Sequence, residues 1–341
     1  MRCKYLHRYL HRICGESWRT MKIAMIGVGG IAGNYRDSLK KLGREREVIG
    51  ICDINQERAQ SVAQEHGARA FTDHREMLRS VAPEAVFISI PPGAHGSQVE
   101  DAARAGAAIF VAKPVGLNWD VVRRTRDAVQ QAGVLNQVGY MARYSDITQK
   151  AREIIGARPI GLGLGRFMCR MGAHPWWGKG SVSGGQMLEQ STHVFDLLRL
   201  FLGKVDEVFC YGHKGLGDDI ANFEDSTVAN LRFRSGACGN IHSTCCANVG
   251  EGFATELAGR DLYLKLTHDH VLEGRDGQEE LKFKGEEAGY FRQVQQFLQA
   301  IETGDKSLIR SDYAAAARTL AVTLAANASL KSGQPEKVAS D

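Results

Sequence analysis

From Met21 onward, short apolar runs alternate with segments of helical periodicity, and the first run leads directly into Gly27-Val28-Gly29-Gly30-Ile31-Ala32. The strand-like runs cover 22–26, 48–52, 86–90, 108–111 and 134–138, and helical segments fall near 31–42, 55–66, 73–80, 96–105 and 118–132. Strands that are apolar on both faces and separated by helices need a helix layer on each side of a parallel sheet. The alternation therefore predicts an α/β Rossmann domain, a doubly wound parallel sheet, over residues 21–144.

After about residue 145 the rhythm changes to longer strand runs joined by Gly- and Asp-containing turns, at 160–169, 205–211, 225–233 and 238–245, with shorter ones reaching 283. Such strands pair without crossover helices. The prediction for 145–341 is an α+β domain with a large, mostly antiparallel open sheet, carrying helices near 192–202, 290–303 and 312–331.

The chain has 341 residues and a net charge of +4. Five Lys and Arg and a single acid, Glu16, fall in residues 1–20, so the whole excess sits there and the remainder is neutral. A neutral body has no overall attraction for a polyanion, and no apolar run approaches the roughly 18 residues of a membrane span, so neither nucleic acid nor a membrane is expected as a partner. Residues 1–20 read either as a basic amphipathic presequence or as a dispensable extension ahead of Met21, the second being preferred. Eight cysteines show no C-x-x-C pair and no His at zinc spacing. No metal site is expected, and the free thiols point to a reducing compartment, the cytoplasm.

The glycine segment reads G-x-G-x-x-A: Gly27 for a tight turn, Gly29 for close approach of a pyrophosphate, and Ala32 for close helix packing, with Gly30 and Ile31 at the helix N-terminus. Asp53 ends the second strand, where a carboxylate accepts ribose hydroxyls and repels a 2′-phosphate. NAD is thus favoured, with NADP left open. The alternative for Asp53 is a helix-cap acid, and Arg58 reads as a solvated surface residue.

Four ordered segments carry a resemblance. They are Val86-Phe87-Ile88-Ser89-Ile90-Pro91-Pro92-Gly93-Ala94-His95, then Ala105 through Pro114 ending Val111-Ala112-Lys113-Pro114, then Gly139-Tyr140-Met141-Ala142-Arg143-Tyr144, then Gly184-Gly185-Gln186-Met187-Leu188-Glu189-Gln190-Ser191-Thr192-His193-Val194-Phe195-Asp196. With Gly333-Gln334-Pro335 they resemble the Gfo/Idh/MocA oxidoreductases over residues 21 to about 338. The resemblance implies a nicotinamide nucleotide at the carboxyl ends of the parallel strands, a substrate cleft floored by the second sheet, and a homo-oligomer, dimer or tetramer, formed through that sheet's outer face. Two departures stand out: Ala112 replaces the family's Glu before the lysine, and Glu189 and Ser191 replace its Asp and Gly before the histidine.

Oxidising a secondary alcohol requires a proton acceptor, stabilisation of the developing alkoxide and a positioned carbinol carbon. His193, in the first turn of a helix whose positive end disfavours imidazolium, suits the first task. Lys113, held by Pro114, suits the second, and Glu189 orients the imidazole or accepts a substrate hydroxyl. Ile90, Pro91, Pro92 and His95 are expected beside the cofactor, with Lys113 and with Arg143, for which the substrate or a surface acid is an alternative partner. Tyr140, Arg170, Trp176 and Trp177 are expected at the substrate, because flat indoles pack on the C–H faces of sugars. For the tryptophans, core or subunit packing is an equal alternative. The leading expectation is an NAD-dependent dehydrogenase or reductase of a sugar, sugar derivative or inositol. Redox-assisted glycoside cleavage and a non-catalytic NAD-binding regulator are its competitors.

Overall fold

The computed structural model describes residues 20–172, 174–247, 250–268, 270–286 and 289–339. The expectation for the preface, apart from Thr20, lies outside the described residues.

The first half builds β1 (Ile23–Ile26), α1 (Ala32–Lys41), β2 (Val48–Cys52), α2 (Gln56–His66), β3 (Arg69–Phe71), α3 (His74–Val81), β4 (Ala85–Ile88), α4 (Gln98–Arg104), β5 (Ala108–Val111), α5 (Trp119–Ala132) and β6 (Asn136–Val138). The six strands are parallel in the order β3-β2-β1-β4-β5-β6, the doubly wound arrangement expected from the alternation. The strand order reverses between β1 and β4, which makes the carboxyl edge there the place for a ligand. The register Ile26↔Cys52 and Ile26↔Ile88 brings Gly27, Asp53 and Ser89 to that edge together.

Strand β3 is missing from the sequence-based expectation. It is three residues long, sits at the sheet edge and buries only Phe71, so it has no apolar run to announce it.

The second half contains α6 (Asp146–Ile155), β7 (Ile160–Met168), two short helices, α7 (Gly180–Ser183) and α8 (Gln186–Glu189), then α9 (Thr192–Leu202), β8 (Val205–His213), β9 (Ser226–Phe233) and β10 (Cys238–Thr244). A meander follows, β11 (Gly252–Gly259), β12 (Leu262–Thr267), β13 (Val271–Asp276) and β14 (Glu279–Lys284), before α10 (Gly289–Thr303), α11 (Tyr313–Ser332) and β15 (Glu336–Lys337). The nine-stranded order is β14-β13-β12-β11-β7-β10-β9-β8-β15, antiparallel except for β7 with β10.

Helix α9 lies on β7 because that strand lacks side chains where the helix crosses. A Cβ on Gly165 would lie 2.1 Å from Val194 Cγ1, and one on Gly163 would lie 2.8 Å from Leu198 Cδ2. Glycine in a strand marks such close approach. The opposite face of the sheet exposes Leu162, Tyr211, Val228 and Tyr263 by between 41% and 66%.

The expected boundary at 144/145 describes chain order but not packing. Phe297 of α10 packs edge-on against Phe87 and Phe110 at 5.6 and 5.4 Å between centroids, so α10 completes a helix layer of the first sheet. The start of α11 does likewise, with Tyr313, Ala316 and Leu320 buried alongside Val86 and Ile109. Helix α10 thus belongs to the first core, and α11 is shared, its Val322, Ala325 and Ala326 lying in the core of the second sheet.

Candidate active site

The glycine turn is shaped for a diphosphate. Gly27 has φ +77°, and a Cβ there would lie 2.4 Å from the Ser89 carbonyl oxygen and 2.8 Å from Ile90 Cγ2, so only glycine fits between the two central strands. Space around Gly29 is open. Helix α1 has no side-chain cap at Ile31 and no acid in its first turn. The amides of Ala32, Gly33 and Asn34 bond the Gly29, Gly30 and Ile31 carbonyls, and those of Gly29, Gly30 and Ile31 make no hydrogen bond among the described residues, which leaves them and a positive helix end for an anion. Ala32 is fully buried against the sheet. These features fit the diphosphate of a dinucleotide.

Asp53 is buried at the adjacent edge. Its Oδ2 accepts the Val28 amide at 3.0 Å and Arg58 Nε at 2.9 Å; its Oδ1 accepts the Asn55 amide at 2.9 Å and Arg58 Nη2 at 2.6 Å. Although burial opposes it, the Arg58 bonds and the two amides hold the carboxyl below its ordinary range. Arg58 is therefore not a free surface residue, as expected from the sequence, but the partner of Asp53. With two hydrogen bonds on each oxygen, the carboxylate is near its acceptor capacity. Arg58, its side chain 46% exposed, is the partner able to leave.

Lys113 follows the end of β5 and is joined to Pro114 by a cis peptide bond. Its Nζ donates to the Glu189 carbonyl at 2.5 Å and to Glu189 Oε1 at 3.0 Å. The acid that Ala112 fails to supply thus arrives from α8, across the domain boundary. Burial raises the Glu189 carboxyl above its usual value despite Lys113. His193, 4% exposed, is held well below the ordinary imidazole range by burial and then by the charge of Lys113. It is neutral near pH 7, by burial rather than by the helix end invoked from the sequence. Around Lys113, Glu189 Oε2, His193 Nδ1 and Gln186 Oε1 are buried without hydrogen-bond partners, while Gln186 Nε2 reaches Cys169 Sγ at 3.7 Å. Unsatisfied polar atoms gathered at one spot mark a place for a polar ligand.

Several expected residues lie elsewhere. Arg143 is committed to Asp196, with Nε to Oδ2 at 2.6 Å and Nη2 to Oδ1 at 2.7 Å, and its Nη1 donates to the Arg310 carbonyl. A guanidinium so occupied positions helix α9 and does not face a cofactor. Tyr140 is fully buried, its hydroxyl 2.9 Å from Thr192 Oγ1 and its ring edge-on to His193. It backs the imidazole and does not line the substrate space. Trp177 is 6% exposed and packs so closely on Gly172 that a Cβ there would lie 1.9 Å from the indole, which makes it the plug of its own loop. Trp176 is half-buried and Arg170 exposed. Pro92 is buried and Pro91 precedes it at the β4 edge. The His95 ring is buried near Gly116, its pKa lowered by burial to about 4.

Sequence reasoning did not pick out Gln186, Cys169 or Thr192 as members of this cluster. Gln186 and Thr192 carried a signal, both standing inside the Gly184 to Asp196 segment, and Cys169 carried none.

Comparisons with known proteins agree with this geometry. A family described as "Oxidoreductase family, NAD-binding Rossmann fold" matches residues 21–140, and the "GFO/IDH/MocA C-terminal domain" matches 149–264. The chain is 29% identical to myo-inositol 2-dehydrogenase of Thermotoga maritima over 70% of its length and 73% of that protein. It is 27% identical to scyllo-inositol 2-dehydrogenase (NAD(+)) of Bacillus subtilis over 92% of its length and 95% of that protein. Among solved structures, the WlbA dehydrogenase of Bordetella pertussis in complex with NADH and UDP-GlcNAcA superposes with a TM-score of 0.81 at 25% identity, covering 95% of this chain and all of that one.

Proposed function

The chain belongs to the Gfo/Idh/MocA oxidoreductase family, and on that premise we propose that it interconverts a secondary hydroxyl and ketone of a sugar, sugar derivative or inositol with NAD. The observation that carries this reading is the group of unpartnered buried polar atoms around Lys113, at the same strand edge as the glycine turn. When bound, the nicotinamide supplies the hydride acceptor or donor. Everything else falls to the chain. His193 takes the hydroxyl proton in the oxidative direction and returns it in the other. Lys113 donates to the reacting oxygen, where its charge stabilises an alkoxide more than a neutral alcohol. Glu189 aims the Lys113 ammonium. A supplied carboxylate partner supports catalysis over a purely regulatory role. An absorbance screen at the NADH band against polyols and sugars tests the proposal, and no turnover with any of them would count against it.

Two measurements bear on the roles. Because burial and Lys113 both disfavour imidazolium, His193 loses its proton below its ordinary pKa. The acid limb of kcat/KM for oxidation is expected well below pH 6.5, and Lys113→Met is expected to move it upward in the residual activity. Asp53→Ser removes the repulsion toward a 2′-phosphate and frees Arg58 to meet one, so the NAD-to-NADP ratio of kcat/KM should fall by about 10- to 100-fold.

The exposed Leu162, Tyr211, Val228 and Tyr263 support association of two or more copies through the second sheet. Six described cysteines, all free, support a reducing cytoplasm.

A further inference from the structure

The loop between β7 and α7 was expected at the substrate, yet part of it touches the first domain. His174 Nε2 lies 3.1 Å from where a Cβ on Gly30 would sit, while the two ring carbons flanking it lie at 3.9 Å. The nitrogen therefore leads, pointing into the glycine turn. Among the described residues, neither ring nitrogen of His174 takes a hydrogen bond, and the side chain is exposed to an incoming ligand.

This placement is built. Trp177 plugs the loop against Gly172, and its amide donates to the His174 carbonyl at 2.9 Å. The Trp176 ring lies parallel to the His174 imidazole, 10° between planes at 6.3 Å. Beyond it, Asn222 fastens the loop to its own domain, accepting the Gly180 amide on Oδ1 at 2.7 Å while its own amide donates to the Gly178 carbonyl at 3.1 Å. Helix α7 then rests on the loop after β4, where a Cβ on Gly93 would lie 3.1 Å from Val182 Cα.

We infer that His174 is a diphosphate ligand contributed by the second domain, its ring N–H donating to a phosphate oxygen held over Gly30 and the start of α1. The inference rests on the dinucleotide reading above. Gly30 and the uncapped helix end provide donors from one side of the anion, and an imidazole stacked on Trp176 provides one from the other. The cofactor is then gripped by both domains.

The test is NADH affinity, read by quenching of tryptophan fluorescence in the full chain without substrate. His174→Phe keeps a flat ring against Trp176 and removes the nitrogens, whereas His174→Gln keeps an N–H donor and loses the ring. His174→Phe is expected to weaken NADH binding by about 10- to 100-fold, and His174→Gln to remain within a few-fold of wild type. Both variants should melt at the wild-type temperature without cofactor. Wild-type affinity in His174→Phe, or equal losses in both variants, would overturn the assignment while leaving the dinucleotide reading intact. Wild-type protein that binds neither NADH nor NADPH would overturn that reading, and the role of His174 with it.

Discussion

Lys113→Met is expected to lower kcat by about 10²- to 10³-fold while leaving NADH affinity within a few-fold of wild type, as measured by steady-state turnover and fluorescence titration. The loss is large because the ammonium is aimed by two contacts from Glu189 and is shielded from water, its side chain only 12% exposed. A donor fixed before the reaction needs no reorganisation when charge develops on the substrate oxygen. Methionine keeps an unbranched chain one atom shorter and leaves Glu189 without its cation. Burial already raises that carboxyl, so in the variant it takes up a proton and the fold survives. Glu189→Gln offers a milder comparison, because the main-chain carbonyl of residue 189 and a side-chain amide oxygen both remain to accept from Nζ. A loss of about tenfold is expected there. A Lys113→Met enzyme retaining more than a tenth of its turnover would exclude the lysine from the chemistry.

Asp196→Ala is expected to destabilise the protein by about 3–5 kcal/mol, seen as a lower denaturation midpoint. Asp196 is 1% exposed and accepts two bonds from Arg143 and one from Thr319 Oγ1 at 2.8 Å. Removing it strands a guanidinium in the interior, and the stranded charge costs more than the lost attraction. Replacing both partners, Asp196→Leu with Arg143→Met, should recover most of the loss. Equal destabilisation of the single and double variants would refute this account. The pair also bears on catalysis, because Asp196 stands one turn after His193 on α9 and ties that helix to the segment after β6 and to α11.

The layered architecture was legible because its strands are apolar on both faces and its helices carry regular stripes. Asp53 and the glycine turn were legible for the same reason, being set by the ends of those strands. What could not be read was pairing across domains. Nothing near Lys113 in sequence indicates that its carboxylate comes from Glu189, 76 residues away. Arg143 looked available because a guanidinium in a loop usually is, and Asp196, 53 residues on, claims it. Tyr140 and Trp177 are aromatic residues flanking a cleft, and only packing distinguishes a wall from a support. His174 shares the loop whose Arg170, Trp176 and Trp177 were expected at the substrate, and the loop's fold around Trp177, which turns it toward Gly30, leaves no local signature.

The position of α10 has a consequence for how the chain is made. Phe87 and Phe110 have left the ribosome long before Phe297 exists to cover them. Translation at roughly 5–20 residues per second puts the interval between the last strand of the first sheet and its covering helix on the order of ten to thirty seconds. Throughout that time the nascent chain has Tyr35 of α1 against these two rings but lacks the helix that covers the rest of the face, so the half of the protein synthesised first finishes folding only when the last fifth has been translated.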